Sequence, residues 1–311
     1  MKLISFCIPI FNNQETIDVL YEKIRTEFEK LPEYEFEIVF TNDGSIDESL
    51  SVLRRIHEKD KRIKIINLSR NFGQVVATIA SQRLVKGDAV ITLSADLQDP
   101  LELIPKMIES WASGNEIVIC KRVKRNDGIV SDTSSRLLFW FLKVNTNHEI
   151  PEGGFDYYLL DKKALHYLNL VEDRTRLMHI DIFELGFKKD FIPYERLKRE
   201  FGKSQYSFLR RFSIFYNTFY TYSRFPIRLM IFMGFLFFLF GITYSISLAY
   251  NFIFYKTPFE GWTPIMILIS ISGGLILMML GIIGEYIWRI YQESKKRPHY
   301  IIKEVYDDDS K

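Results

Sequence analysis

The stretch AVITLSADLQDP, residues 89–100, decides the fold of this chain. Ala89, Val90, Ile91, Thr92 and Leu93 form a short apolar run rich in β-branched side chains, which predicts a buried strand. The run gives way to Asp96, Gln98 and Asp99. Pro100 follows, a residue suited to the first position of a helix. In an open α/β sheet, ligands bind just past the carboxyl ends of the strands, so these oxygens fall where a site is expected. Closely spaced oxygen donors suit a hard cation such as Mg²⁺ or Mn²⁺, which could hold a diphosphate. An acidic turn with an Asp helix cap has the same composition, and the stretch alone does not separate the two.

Outward from this strand the same rhythm recurs. Residues 3–10, 36–40, 63–67 and 116–120 read as further strands, and residues 14–31, 75–84 and 100–111 as helices. Another helix runs to about His57, with Ser45 or Asp47 available to cap it. Within the first helix Ile17, Leu20, Ile24 and Phe28 recur at helical spacing. Strand and helix alternate through short polar links, a pattern that calls for a mostly parallel sheet covered on both faces. Asn12, Asn42, Asp43, Arg70, Asn71, Asp96, Gln98, Lys121 and Arg122 all follow strand ends, so they collect on one edge. Neither GxGxxG nor GxxxxGK[ST] occurs, so phosphates here would be bound by a metal and by arginines.

The formal net charge of +2 argues against a general nucleic-acid binder. Cys7 and Cys120 lie in apolar runs and read as core residues. The opening run, residues 2–11, is short, lacks a small-residue cleavage site and leads into polar NNQET, so it reads as a strand and not as a secretory leader. Residues 121–141 turn basic, and Arg122, Arg125 and Arg136 offer planar, permanently charged forks suited to phosphate. A solvated basic loop is the plain alternative. FDYYLL, residues 155–160, is another strand candidate, and Asp156 within it is a carboxylate among aromatic neighbours, where a charge needs a partner. Helices are expected over 161–170 and 177–185, then a strand near Phe191. A basic loop follows, with Arg196, Arg199, Gly202, Lys203 and Ser204.

The last third of the chain changes solvent. Residues 206–228 mix Arg210, Arg211 and Arg224 with many aromatics, as amphipathic helices at a membrane interface do. Residues 229–255 and 264–290 are each long and apolar enough to span a bilayer, which takes about 20 residues. Arginines and lysines flank the pair on its outer ends, whereas the loop between carries only Lys256, set against Glu260. The positive-inside rule then puts both termini and the α/β domain in the cytoplasm, with a multi-pass anchor in the cytoplasmic (inner) membrane. Residues 291–311 are expected to be a cytoplasmic tail.

Taken together, IPIFNN, TNDGSIDES, LSRNFG, ADLQDP, KRVKR, FDYYLLD, RLKREFGKSQY, the two spans and GIIGEYIWRIY with RPHYII carry a resemblance. The chain resembles the polyisoprenyl-phosphate glycosyltransferases of glycosyltransferase family 2, over nearly its whole length. That group includes dolichyl-phosphate mannose synthases and bactoprenol glucosyltransferases. The resemblance implies a GT-A catalytic domain over residues 1–205 and an inverting, metal-dependent transfer from a nucleotide sugar to a polyprenyl (undecaprenyl) phosphate. A uridine nucleotide is favoured over guanosine, and a homo-oligomer is the expected assembly. Carried over, Pro9, Asn12 and Asp43 would hold base and ribose, with Arg70 and Asp96 completing the nucleotide-sugar site. Asp96 and Gln98 would hold Mg²⁺ or Mn²⁺ on the donor diphosphate. Arg122, Arg125, Arg136, Arg199 and Ser204 would grip the acceptor phosphate. Asp156 would organise the metal or the acceptor, so that Asp96, Asp156, Arg122 and Arg136 form the catalytic set.

Two positions depart from the family pattern. Ser94 stands where an Asp is usual, so Asp99 or water would complete the metal shell, and Tyr158 stands where an Arg is usual. A processive polysaccharide synthase is disfavoured by the missing Gln-x-x-Arg-Trp motif. Transfer to another membrane lipid and a non-catalytic nucleotide-sugar-binding scaffold are the remaining alternatives.

Overall fold

The computed structural model describes residues 1–123, 155–171, 178–197, 225–255 and 261–307. In chain order, β1 (Lys2–Ile10), α1 (Ile17–Glu29), β2 (Tyr34–Asn42), α2 (Ser49–Lys59), β3 (Ile63–Leu68), α3 (Gln74–Gln82) and β4 (Ala89–Thr92) come first. A 3₁₀ turn (Leu101–Leu103), α4 (Ile104–Ala112), β5 (Ile117–Arg122), β6 (Tyr158–Asp161), α5 (Lys162–Asn169), α6 (Met178–Glu184) and β7 (Lys189–Tyr194) follow. Last come α7 (Phe225–Tyr255), α8 (Trp262–Ser294) and β8 (Ile302–Tyr306).

The described strands form one sheet in the order β7-β5-β6-β4-β1-β2-β3-β8. The pairs β1–β2, β1–β4, β2–β3 and β5–β7 are parallel. Strand β6 is antiparallel to both β4 and β5, and β8 is antiparallel to β3. All strands but β6 and β8 therefore point the same way. The chain builds outward from β1 to β3, then crosses back to place β4 on the other side of β1. That reversal between β1 and β4 is a topological switch point, where α/β sheets bind ligands beyond the carboxyl ends of their strands.

Side-chain alternation explains the two covered faces. Ile4, Phe6, Ile8 and Ile10 of β1 pack with Ile17, Leu20 and Ile24 of α1, Leu53 and Ile56 of α2, and Ile104 and Met107 of α4. On the opposite face Val39, Ile66 and Leu68 meet Ala77 and Ala80 of α3, whose small side chains let that helix sit close. Cys7 and Cys120 are free, buried thiols, as their apolar runs predict.

Several expectations need correction. Ser45 does not cap α2: its Oγ accepts the backbone N–H of Asn12 at 3.0 Å, while Asp47 Oδ1 accepts that of Ser49 at 3.1 Å. Pro100 leads into the 3₁₀ turn and not directly into α4. The strand in FDYYLLD starts at Tyr158, which leaves Asp156 in the turn before it. The tail of residues 291–311 is not all apart from the fold, because Ile302–Tyr306 joins the sheet as β8 beside β3.

The chain forms two compact units, residues Met1–Phe208 with Arg297–Lys311, and residues Leu209–Lys296. In the second unit α7 starts a few residues before the expected 229–255 and ends with it, and α8 extends a few residues beyond the expected 264–290 at both ends. Both are long and apolar enough to cross a membrane, with spans Phe225–Asn251 and Ile271–Ser294 of mean hydropathy 2.2 and 1.6. They turn their apolar side chains outward, Ile231 being 67 % and Leu277 70 % exposed. A soluble helical hairpin would bury such residues.

Candidate active site

The carboxyl edge of the sheet gathers the polar residues that follow β1, β2, β3, β4, β5 and β7, and the residues that precede the reversed strand β6. On the donor side, Asn12 adopts φ 55°, a left-handed conformation that Asn tolerates. This lets its Oδ1 accept the Ile46 N–H at 3.0 Å while its own N–H reaches Ser45, tying two loops together. Asp43 is almost fully buried, and its two oxygens accept the Phe72 and Gly73 N–H groups at 2.6 and 2.8 Å. Gly44, at φ +66°, sits so close that a Cβ would lie 2.5 Å from the Arg70 carbonyl carbon. Only glycine fits between these loops. Asn42 Nδ2 donates to Asn67 Oδ1 at 2.9 Å from below. Pro9 is buried in β1 opposite Thr41, and Arg70 is exposed, its guanidinium 4.1 Å from the Phe72 ring centroid.

The turn after β4 holds Asp96 and Gln98. Leu97 takes φ 57°, and the Gln98 N–H reaches Asp96 Oδ1 at 3.3 Å. Arg196 Nη2 lies 3.5 Å from Asp96 Oδ2, and the Gln98 side-chain amide donates to the Leu197 carbonyl at 3.1 Å. Among the described residues Arg196 Nε is buried with no partner, a donor beside the turn. Asp99 is 3 % exposed, with Oδ2 accepting the Ser94 N–H at 3.2 Å and Oδ1 accepting the Tyr194 hydroxyl at 3.0 Å. Burial pushes its carboxyl up, against the pull of the Ser94 N–H and of Arg122. Asp99 therefore shapes the turn that carries Asp96 and Gln98.

Arg122 ends β5. Its Nη2 donates to Asp156 Oδ2 at 2.9 Å and its Nε to the Tyr194 hydroxyl at 3.2 Å. Burial alone would raise the Asp156 carboxyl. Arg122, His179 and Arg196 outweigh it and hold the carboxyl below the ordinary range. His179 Nε2 is 4.0 Å from Asp156 Oδ1, and its ring packs edge-on against Phe155 at 4.8 Å. Tyr158, in the position of a family Arg, points elsewhere: it is buried, accepting from Gln82 Nε2 at 3.0 Å.

Of the residues singled out from sequence, Pro9, Asn12, Asp43, Arg70, Asp96, Gln98, Arg122 and Asp156 all stand on this edge. Arg125, Arg136, Arg199 and Ser204 lie outside the described residues. Sequence reasoning missed His179 and Tyr194. The apolar setting of Asp156 demanded a partner, but no spacing pointed to either residue. Among the described residues no three His, Cys, Asp or Glu side chains cluster as a metal cage. Asp96 and Gln98 offer hard oxygens only, and few of them. That set fits Mg²⁺ or Mn²⁺ completed by water and diphosphate oxygens, and does not fit a structural zinc.

The profile of "Glycosyl transferase family 2" matches residues 5–167, more than half of the chain and all of its donor-side loops. The chain belongs to glycosyltransferase family 2. Curated relatives extend the match to almost the full length. The "Prophage bactoprenol glucosyl transferase homolog" of Escherichia coli (strain K12) is 33 % identical over 306 residues, covering 97 % of this chain and 99 % of its own. The "Bactoprenol glucosyl transferase" of Shigella phage SfX is 33 % identical over 304 residues, covering 96 % and 98 %. An uncharacterised glycosyltransferase of Bacillus subtilis (strain 168) is 32 % identical over 308 residues, covering 99 % and 95 %. The transferase also shares its fold with glucosyl-3-phosphoglycerate synthase from Mycobacterium tuberculosis, solved with Mn²⁺, UDP-glucose and phosphoglyceric acid. There the TM-score is 0.52 at 16 % identity, over 70 % of this chain and 79 % of that one. Mannosyl-3-phosphoglycerate synthase from Rubrobacter xylanophilus gives 0.50 at 17 % identity, over 72 % and 73 %. The catalytic unit is thus a GT-A domain, a mostly parallel sheet with helices on both faces.

Proposed function

We propose that this transferase moves a hexose, with inversion, from a UDP-sugar to polyprenyl (undecaprenyl) phosphate, making a lipid-linked sugar donor for cell-envelope glycans. The observation that carries the proposal is the edge itself. The Asp96–Gln98 turn and the Arg122–Asp156 pair share one end of the sheet, in a chain whose relatives are named bactoprenol glucosyl transferases over nearly their full length.

The acceptor monoester has a second pKa of about 6, so it is already largely dianionic at neutral pH and needs little help from a base. What opposes reaction is repulsion between two phosphorylated molecules. Pro9, Asn12, Asp43 and Arg70 bind the nucleotide, and Asp96 and Gln98 hold Mg²⁺ or Mn²⁺. A cation held there would supply positive charge to the donor diphosphate and favour its departure. Arg122, with Arg125, Arg136, Arg199 and Ser204, grips the acceptor phosphate. An acceptor oxygen attacks the anomeric carbon from the face opposite the diphosphate, and the C–O bond to the diphosphate breaks with its electron pair. Asp156 orients Arg122 and takes no proton.

Helices α7 and α8 serve as two membrane spans, holding a lipid acceptor's phosphate near the site and turning a rare encounter into a local one. Arg224 and Arg228 on one flank, and Lys295, Lys296 and Arg297 on the other, support a cytoplasmic orientation for both ends.

The test is a screen of radiolabelled nucleotide sugars on membranes containing undecaprenyl phosphate, with and without Mn²⁺. Loss of an outer-shell partner already costs metal sites about 10–100-fold, so Asp96→Asn is expected to lower transfer by at least about 100-fold. Arg122→Ala is expected mainly to raise the acceptor KM. Wild-type rates in both variants would remove the site assignment.

A further inference from the structure

One phenol joins the donor turn to the acceptor arginine. Tyr194, the last residue of β7, is 5 % exposed and stands opposite Arg122 in the parallel β5–β7 register. Its single hydroxyl proton goes to Asp99 Oδ1 at 3.0 Å, and its oxygen accepts Arg122 Nε–H at 3.2 Å. The other Asp99 oxygen accepts the Ser94 N–H at 3.2 Å, so Asp99 is part of the turn that carries Asp96 and Gln98. The Tyr194 ring is itself held edge-on against Tyr157, with centroids 6.2 Å apart. Arg122 has a second tether in Asp156, at 2.9 Å. An arginine stem has several rotatable bonds, and two tethers set its fork where one would leave it to swing.

We propose that Tyr194 is a positioning residue that fixes the Arg122 guanidinium relative to the Asp96–Gln98 turn, so that acceptor phosphate and donor diphosphate meet at a set separation. This rests on the function proposed above and adds a residue to it. The phenol touches neither reactant; it acts through Arg122.

Tyr194→Phe keeps the ring and removes both hydrogen bonds. In purified full-length protein it is expected to raise the acceptor KM about tenfold, the scale of a lost hydrogen bond to a charged group, while leaving the nucleotide-sugar KM unchanged. Direct binding of a short-chain prenyl monophosphate should weaken by the same factor. Tyr21→Phe removes another phenol–carboxylate bond, the one to Asp60 at 2.9 Å, and should leave every constant unchanged. Arg122→Lys keeps the charge but loses the Nε–H. If Tyr194 acts through Arg122, the penalties of Tyr194→Phe and Arg122→Lys do not add in the double variant. Additive penalties would overturn the proposal. So would donor and acceptor constants moving together, or a lower melting temperature with a wild-type acceptor KM. If wild-type protein neither binds the prenyl monophosphate nor uses polyprenyl phosphate, the functional reading falls and takes this inference with it. An active wild type matched by an equally active Tyr194→Phe removes the inference alone.

Discussion

Asp156 and His179 show how a single charge depends on residues far along the chain. Burial holds the His179 imidazole below its ordinary value near 6.5, against the pull of Asp156 and the Phe155 carbonyl. As pH falls, the unfolded chain takes up this proton first, so stability declines from about pH 6.5 downward. The depressed Asp156 carboxyl acts in the same sense lower down. Its contribution is present above about pH 4 and is lost as pH falls through the folded value. His179→Gln is expected to flatten the upper part of this acid sensitivity, which melting temperatures between about pH 5 and 7.5 will read. An unchanged slope would remove His179 from the account. At this scale the need was legible and the answer was not. A carboxylate set among aromatics announces that it requires a partner, yet Arg122 lies 34 residues away and no local pattern selects it. Asp43 is a second case. The TNDGS stretch marks it as a site residue, but only the fold shows both its oxygens holding the β3–α3 loop. A carboxylate oxygen has further lone pairs, so that structural duty leaves room for a nucleotide contact.

Elements were legible wherever their pattern is local. Helix α1 buries Ile17, Leu20, Ile24 and Phe28, the residues its spacing selects, and β4 spans Ala89–Thr92 within the quoted stretch. Strand β8 is the exception. Its alternation is present in IIKEVY, but an isolated strand after a hydrophobic hairpin has no visible partner in sequence. In the fold it covers the edge of β3. Glu304 accepts Arg54 Nη2 at 3.0 Å, Asn67 Nδ2 at 3.4 Å and the Tyr306 hydroxyl at 2.6 Å. Asn67 continues the chain of bonds to Asn42, just before Asp43. A chain ending after Tyr300 is therefore expected to melt about 5–10 °C lower, since each kcal/mol lost is worth about 2–4 °C in a unit of this size. Thermal unfolding of the purified protein checks this. An unaltered melting temperature would make β8 an ornament of the sheet.

For the whole molecule, connectivity constrains topology independently of charge. The chain leaves the GT-A unit after Phe208 and rejoins it at Arg297, where β8 enters the same sheet. If α7 and α8 both cross a bilayer, the residues before and after them must lie on one side. Pro258→Cys is then expected to react with an impermeant thiol reagent from outside intact cells, and Lys303→Cys only after the membrane is opened. Labelling of both from outside would refute the two-span anchor.

Sequence by itself determined the alternating α/β plan, the edge on which the polar residues gather, and the two apolar helices. Each of these follows from periodicity, strand-end chemistry or uninterrupted length, all properties of neighbouring residues. Tertiary structure decided who meets whom on that edge: Tyr194 between Asp99 and Arg122, His179 beside Asp156, Tyr158 turned beneath Gln82, and β8 against β3. Those contacts depend on strand order and register. Until β7 lies beside β5, and β6 between β5 and β4, these side chains have no reason to be near one another.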